Sequence, residues 1–313
     1  MYAAVRSLEG KAHGLPDKLA AASKNWSRLA IYADRGIIVL NKPPYLVCQG
    51  SDVQDGDDQK PRERNADKFN DLLLDLKDHF HLDKVPHTVH RLDKSTTGAL
   101  VLAKNLAAAR QLSQQFQNRS VGKTYLALVR GGEKSFQTRS GEIRDPLESD
   151  DGQVSISQSC RAKFAATDWE LVASSPKAPL SLLKLTLHTG LKHQLRVHLA
   201  HSLQTPILGD PVYSRSPISD KIARTIRVPE HRLFLHASRL CFSRYRKTGP
   251  NKHFRLEVAA ALPSDFVTLC KAADIPLDEW DITGGLFVDG KPAGHEVPDL
   301  DGKWLKSNHR MIR

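Results

Sequence analysis

The chain has 313 residues, 40% hydrophobic and 26% charged, the balance of an ordinary globular protein able to bury one large core or two small ones. With 46 Lys and Arg against 35 Asp and Glu, its formal net charge is +11, which points to a polyanionic partner, nucleic acid before membrane, because neutralised phosphates release counterions. No apolar run approaches the roughly 18 residues of a membrane span, and Cys48, Cys160, Cys241 and Cys270 lack the Cys-x-x-Cys pairs of a zinc site and read as reduced, buried thiols.

Residues 1–28 read as an N-terminal extension that sets Arg6, Lys11, Lys18, Lys24 and Arg28 against Glu9 and Asp17. That is a partial match to a mitochondrial transit peptide, which is Arg-rich and nearly free of acids. Residues 36–42 (GIIVLNK) read as a short buried strand stopped by Pro43-Pro44, since proline has no N–H to give a ladder. Residues 51–67 are charged and read as a solvated loop, and 69–78 (FNDLLLDLKD) as a short helix. Residues 98–103 (GALVLA) form an apolar strand. Leu106, Ala109, Leu112 and Phe116 then fall at helical spacing within 104–119. Residues 123–130 (KTYLALVR) are rich in strand formers, and 131–160 read as hairpins and loops. Leu183, Leu185 and Leu187 alternate with Lys184, Thr186 and His188, giving a half-buried strand. Leu195, Leu199 and Leu203 are spaced four apart and predict a helix over 193–203 with one apolar stripe. Residues 233–242 and 253–260 read as further strands, and 286–313 as a loosely held tail. Helices and strands mix without regular βαβ alternation, so the expected class is α+β, with one main domain over 29–285.

Three polar segments stand out: Asn41-Lys42-Pro43-Pro44, His90-Arg91-Leu92-Asp93-Lys94 with Thr97-Gly98, and Thr189-Gly190 with His193-Gln194-Leu195-Arg196-Val197-His198. Singly, each has an ordinary explanation. Asp beside Ser and Thr is usually a turn former, Arg on a helix a solvated charge, and Lys-Pro-Pro a strand terminator. Together, and in this order, they resemble the RluA-type pseudouridine synthases. KTYLALVRG resembles that family's tyrosine segment, GDPVYS (209–214) the turn after its third motif, and LFLHASRLCF its later strand. The resemblance runs from about residue 29 to about 260.

It implies a mixed, mainly antiparallel central sheet flanked by helices, and an isomerase that needs neither cofactor nor metal. The uracil of a uridine is detached at N1, turned, and reattached through C5. Breaking the glycosidic bond builds positive character on the ribose, which a carboxylate can trap or stabilise, and the resemblance gives that role to Asp93. Burial disfavours a carboxylate's charge. The family's third-motif arginine counters this by pairing with the aspartate, and Arg196 matches it. Tyr125 matches the active-site tyrosine, whose ring can stack on the extruded base and whose hydroxyl can help remove the C5 proton. Arg91 matches the arginine that enters the space left by the flipped base, while His90 shapes the loop. Lys42, Lys192 and His193 are candidate phosphate contacts, each with a structural or surface alternative.

The sequence departs from the family pattern at Tyr45, where glycine is usual and a differently shaped turn is expected, at Ser95, and at Leu191-Lys192. These bear on which RNA is recognised. Ribosomal RNA is the favoured substrate, with transfer RNA next, and the protein is expected to act as a monomer. The leader and the diverged third motif resemble organellar members, giving a mitochondrial location with the cytoplasm as alternative. A catalytically silent RNA-binding protein of the same fold is the rival reading, but it predicts a broken triad, and Asp93, Tyr125 and Arg196 are all present. A glycoside hydrolase would need a second acid, and a metal-dependent nuclease a cluster of acids or histidines.

Overall fold

The computed structural model describes residues 25–48, 60–214, 216–246 and 252–306. The chain enters through a short turn at Trp26–Leu29, then β1 (Ala30–Ala33), β2 (Ile37–Lys42), α1 (Lys60–His79), β3 (His87–Thr88), β4 (Thr97–Ala103), α2 (Leu106–Gln117) and β5 (Gly122–Arg130). An edge strand β6 (Ser140–Ile143), a separate hairpin of β7 (Leu147–Asp150) and β8 (Gln153–Ile156), β9 (Thr167–Ser174) and β10 (Leu180–Leu187) follow. A helix then begins as α3 (Gln194–Val197) and widens to a π turn over His198–Ser202. After α4 (Asp220–Thr225) come β11 (Leu235–Tyr245), β12 (His253–Ala259), α5 (Ser264–Ala272), α6 (Glu279–Thr283), β13 (Gly285–Val288), β14 (Lys291–Pro292), β15 (Glu296–Val297) and β16 (Gly302–Trp304).

Fourteen strands join in one sheet, ordered β15-β16-β1-β2-β4-β11-β5-β10-β9-β6, with β12, β13 and β14 branching from β11 and β3 from β4. The pairing is antiparallel except where β4 meets β11, with Thr97 beside His236 and Gly98 beside Ala237. The α+β class and the mainly antiparallel sheet agree with the sequence reading. β4 is buried along its whole length because both faces are covered. Leu100 and Leu102 join one apolar cluster with Leu92, Tyr125, Leu185 and Leu195, while Ala99, Val101 and Ala103 pack with Leu112 of α2 on the other face. In β10, Leu183, Leu185 and Leu187 face the first cluster and Lys184, Thr186 and His188 stay exposed, as the alternation requires.

The parallel join depends on Gly98. Its φ is +113°, and a Cβ there would lie 2.2 Å from the Ala237 carbonyl oxygen. Only glycine lets the backbones approach this closely.

Four expectations need correction. Residues 60–67 are not loop but the first turns of α1, so the helix expected at 69–78 runs over Lys60–His79; residues 51–59 lie outside the described residues. Residues 286–306 are not a loose tail, and residues 307–313 lie outside the described residues. β13 pairs with β12, and β16 lies between β15 at the far edge and β1, with Trp304 opposite Tyr32. Glycine signalled close approach there rather than mobility, since a Cβ on Gly302 would stand 2.2 Å from the Tyr32 hydroxyl. The N-terminal extension ends earlier than residue 28, because Trp26 is buried in the core and the Ser27 amide donates to Asp75 Oδ2 at 2.6 Å; residues 1–24 lie outside the described residues. Of the cysteines, Cys48 and Cys270 are buried, Cys241 is half-buried and Cys160 is exposed.

Candidate active site

The centre of the sheet presents one open cavity where the loop before β4 and the strands β5, β10 and β11 meet the start of α3. Asp93, Arg91, Tyr125, Gly190, His193, Arg196 and Leu235 are among the residues lining it. Among the described residues, Asp93 is the one carboxylate in that lining. The cavity therefore brings together residues more than 100 positions apart, and five of the seven candidate site residues are in it.

The loop carrying Asp93 is held from below. Thr96 N–H donates to the Asp93 carbonyl at 3.1 Å, closing a turn, and Tyr45 N–H donates to the Lys94 carbonyl at 2.7 Å. Lys42 is fully buried, and its ammonium donates to the carbonyls of Pro43 (3.0 Å), Leu46 (2.9 Å) and Lys94 (3.1 Å). Burial pulls its pKa down to about 8. Lys42 is thus no phosphate contact: it pins the Lys-Pro-Pro turn to the loop that carries Asp93. Tyr45 reaches the same turn. It sits at φ +68°, the region glycine favours, with its hydroxyl donating to the His231 carbonyl at 2.8 Å. His90 shapes the loop as expected: its Nε2 accepts from Val101 N–H at 2.9 Å and its ring stacks on Phe116. Burial takes its pKa down to about 3, with Lys123 adding to the fall, so the ring is neutral.

Tyr125 is supplied by β5, with Leu185 and Ala237 as its cross-strand neighbours. It is 8% exposed, and burial, then the charge of Asp93, pushes its phenol well above the usual range. Arg91 stands exposed at the cavity rim, and Lys192 is exposed with its Nζ donating to the Gly152 carbonyl at 2.8 Å. Lys123, two residues before Tyr125 on the same face, donates to the Thr189 carbonyl at 3.3 Å, and burial lowers its pKa to about 8.

Arg196 is buried and lines the cavity, but its fork does not go to Asp93. Nε donates to Asp210 Oδ2 at 2.7 Å and Nη2 to Asp210 Oδ1 at 2.8 Å. Asp210 also accepts the amides of Val212 (2.9 Å) and Tyr213 (3.0 Å). Against the burial that would raise it, the Arg196 hydrogen bonds hold the Asp210 carboxyl below its usual range. The expected direct Arg196–Asp93 pair is therefore corrected. A buried guanidinium needs a full bidentate partner, and Asp210 supplies it while Asp93 acts on Arg196 through space. This arrangement also leaves Asp210 no freedom to serve as a second catalytic acid.

His193 approaches Asp93 from the start of α3, with Nε2 4.0 Å from Oδ2. Its Nδ1 lies 2.9 Å from the Tyr213 hydroxyl, and the Arg196 guanidinium stands over the Tyr213 ring at 5.1 Å. Gln194 locks the preceding turn: its Oε1 accepts from Thr189 Oγ1 (2.7 Å) and Leu191 N–H (3.1 Å), and its Nε2 donates to the Ala166 carbonyl and Thr167 Oγ1, both at 3.0 Å. Asp210, Tyr213 and Gln194 were not assigned roles from sequence. Asp210 and Tyr213 lie in the GDPVYS segment, which was the available signal.

A pseudouridylate synthase site is what this cavity resembles, and comparison with known proteins agrees. The family of RNA pseudouridylate synthases matches residues 36–201. The ribosomal large subunit pseudouridine synthase D of Borreliella burgdorferi is 34% identical over 243 residues, 76% of this chain and 70% of that one. The tRNA pseudouridine synthase C of Pasteurella multocida is 31% identical over 264 residues, 80% of this chain and 96% of that one. Among solved structures, human RNA pseudouridylate synthase domain containing 4 superposes with a TM-score of 0.63 at 26% identity, covering 85% of this chain and all of the other. The chain belongs to the RluA-type RNA pseudouridine synthases. It is an isomerase that converts uridine to pseudouridine in RNA.

Proposed function

We propose that Asp93 is the carboxylate that acts on the target nucleotide, in ribosomal RNA, with Tyr125 and Arg196 completing the reacting centre. The observation that carries this reading is that, among the described residues, Asp93 is the sole acid lining a cavity walled by Tyr125, His193 and Arg196. As the N1–C1′ bond breaks, the carboxylate takes up the positive character on C1′. The freed uracil turns, C5 bonds to C1′, the C5 proton leaves, and N1 ends protonated, so atoms balance without an outside reagent. Tyr125, in the wall of the same cavity, stacks its ring on the base and lends its hydroxyl to the C5 proton transfer. Arg196, fixed by Asp210, supplies a positive wall to the cavity. Arg91 at the rim takes the space the base leaves, and the exposed Lys192 contacts phosphate.

The names of relatives such as pseudouridine synthase D support ribosomal RNA over transfer RNA. The basic-leaning residues ahead of Trp26, with Arg6, Lys11, Lys18 and Lys24 against Glu9 and Asp17, support a mitochondrial compartment over the cytoplasm. Pseudouridine mapping of total RNA from cells with the gene intact, deleted, or restored as Asp93→Ala tests the whole reading. Loss of a site in organellar large-subunit RNA, not restored by Asp93→Ala, is expected. Full restoration by Asp93→Ala would refute the role of Asp93, and a lost site only in transfer RNA would refute the substrate.

A further inference from the structure

His193 was expected at a phosphate, yet the structure turns it inward. It holds a left-handed backbone conformation at φ +53°, just before α3, with its half-buried ring between Asp93 and Tyr213. Tyr213 is itself fixed on three sides. Its amide donates to Asp210 Oδ1, its ring lies under the Arg196 guanidinium, and it packs against the apolar cluster that includes Val154 of the β7–β8 hairpin.

Proton bookkeeping decides what this triangle does. A phenol has one hydrogen, and an N–H can only donate. Asp93 as a carboxylate can only accept, so the imidazole nitrogen facing it carries the proton, and the Tyr213 hydroxyl, 2.9 Å from His193 Nδ1, donates to that nitrogen. A neutral imidazole that accepts at Nδ1 carries its proton on Nε2. Nε2 is the nitrogen that faces Asp93 Oδ2, across 4.0 Å. Burial lowers the His193 pKa, with Asp93 opposing and Arg196 and Lys192 adding to the fall, which keeps the ring neutral.

We propose that Tyr213 is a positioning residue for the isomerisation: it fixes the Nε2–H tautomer of His193, and that N–H orients the Asp93 carboxylate. The gap of 4.0 Å exceeds a hydrogen bond and closes by a small rotation of either side chain when the nucleotide enters. Through the apolar cluster of Leu147, Val154 and Val197 against which Tyr213 packs, the hairpin becomes part of the same linkage, joining a surface element beside Lys192 to the reacting centre. The proposal rests on Asp93 being the reacting carboxylate.

The test combines a spectroscopic and a kinetic readout on the full chain. Imidazole 15N shifts identify the tautomer, and the His193 signals are assigned by their loss in His193→Gln. The wild-type protein should show His193 as the Nε2–H tautomer alone, and Tyr213→Phe, which keeps the ring under Arg196, should give a mixture. Single-turnover rates on substrate RNA should fall about tenfold in Tyr213→Phe, the worth of one neutral hydrogen bond, with RNA affinity unchanged. His193→Leu should lose roughly 10–100-fold, the worth of a hydrogen bond to a charged group. His193→Gln, whose amide can aim an N–H at Asp93, should recover most of that loss. An unchanged tautomer in Tyr213→Phe would overturn the proposal. Equal losses in His193→Gln and His193→Leu, seen as weaker RNA binding, would also overturn it and return His193 to a phosphate role. Activity in Asp93→Asn, with the tautomer as expected, would place the failure in the reading of Asp93 itself.

Discussion

Asp210→Asn is the sharpest perturbation of the wall behind the reacting centre. Asp210 accepts four hydrogen bonds, three at Oδ1 (Arg196 Nη2 and the Val212 and Tyr213 amides) and one at Oδ2 from Arg196 Nε. An asparagine can place its carbonyl oxygen at the Oδ1 position and keep three of them. Its NH2 must then stand against Arg196 Nε–H, donor facing donor, while Arg196, 6% exposed, loses its counter-charge. Removing one partner of a buried pair costs about 3–5 kcal/mol, and this geometry offers no relief. Urea unfolding monitored by tryptophan fluorescence should show a loss of that size, and single-turnover activity should fall with it. Arg196→Met with Asp210→Leu removes both charges and should recover much of the stability while remaining poorly active. If Asp210→Asn unfolds within about 0.5 kcal/mol of wild type and keeps its rate, the pair is not what holds Arg196 at the cavity.

Lys42→Met should slow single-turnover isomerisation by about tenfold by loosening the loop that carries Asp93, while RNA affinity and its salt dependence stay unchanged. A smaller salt slope instead would mean that Lys42 reaches phosphate. Gly98→Ala should cost about 3 kcal/mol or more, because it combines φ +113° with a Cβ 2.2 Å from the Ala237 carbonyl; a wild-type urea midpoint would contradict the close approach of β4 and β11. Acid should destabilise the protein early. Burial holds His90 near 3 and His236 near 4, so both stay neutral when folded and take up protons on unfolding below the ordinary value of about 6.5. Their stabilisation is whole above that value and is lost as pH falls through 6 to 4. Two protons imply a slope of roughly 2–3 kcal/mol per pH unit near pH 5, and uptake of less than one proton would refute the burial of the pair.

The sheet was legible wherever alternation or an apolar run was strong, as in Leu183, Leu185 and Leu187 of β10 or GALVLA of β4. It was illegible where glycine served close packing. Gly302 looked like the mark of a loose tail, but it makes room for the buried Tyr32 hydroxyl, a contact between residues 270 positions apart that no local pattern records. The start of α1 was hidden because Lys60 to Asp67 carry charge without an apolar stripe. At the site, residue types and order placed Asp93, Tyr125 and Arg196 in one cavity. What the sequence did not reveal is who pairs with whom. Lys42 read as a phosphate ligand because a lysine's surroundings are invisible until three carbonyls are found around its ammonium. Arg196 read as the partner of Asp93 because Asp210, 14 residues on, lay in a segment that looked like a plain turn.

The measurement that bears most directly on the account is a single-turnover assay of purified wild-type and Asp93→Asn protein on large-subunit ribosomal RNA, with pseudouridine read by chemical mapping. The amide side chain is isosteric with the carboxylate it replaces. His193 stands 4.0 Å from that carboxylate, too far for a hydrogen bond whose loss would unfold the loop. The account predicts unchanged RNA affinity, an unchanged melting temperature and no detectable pseudouridine in Asp93→Asn. Pseudouridine formed by Asp93→Asn at the wild-type rate would contradict it.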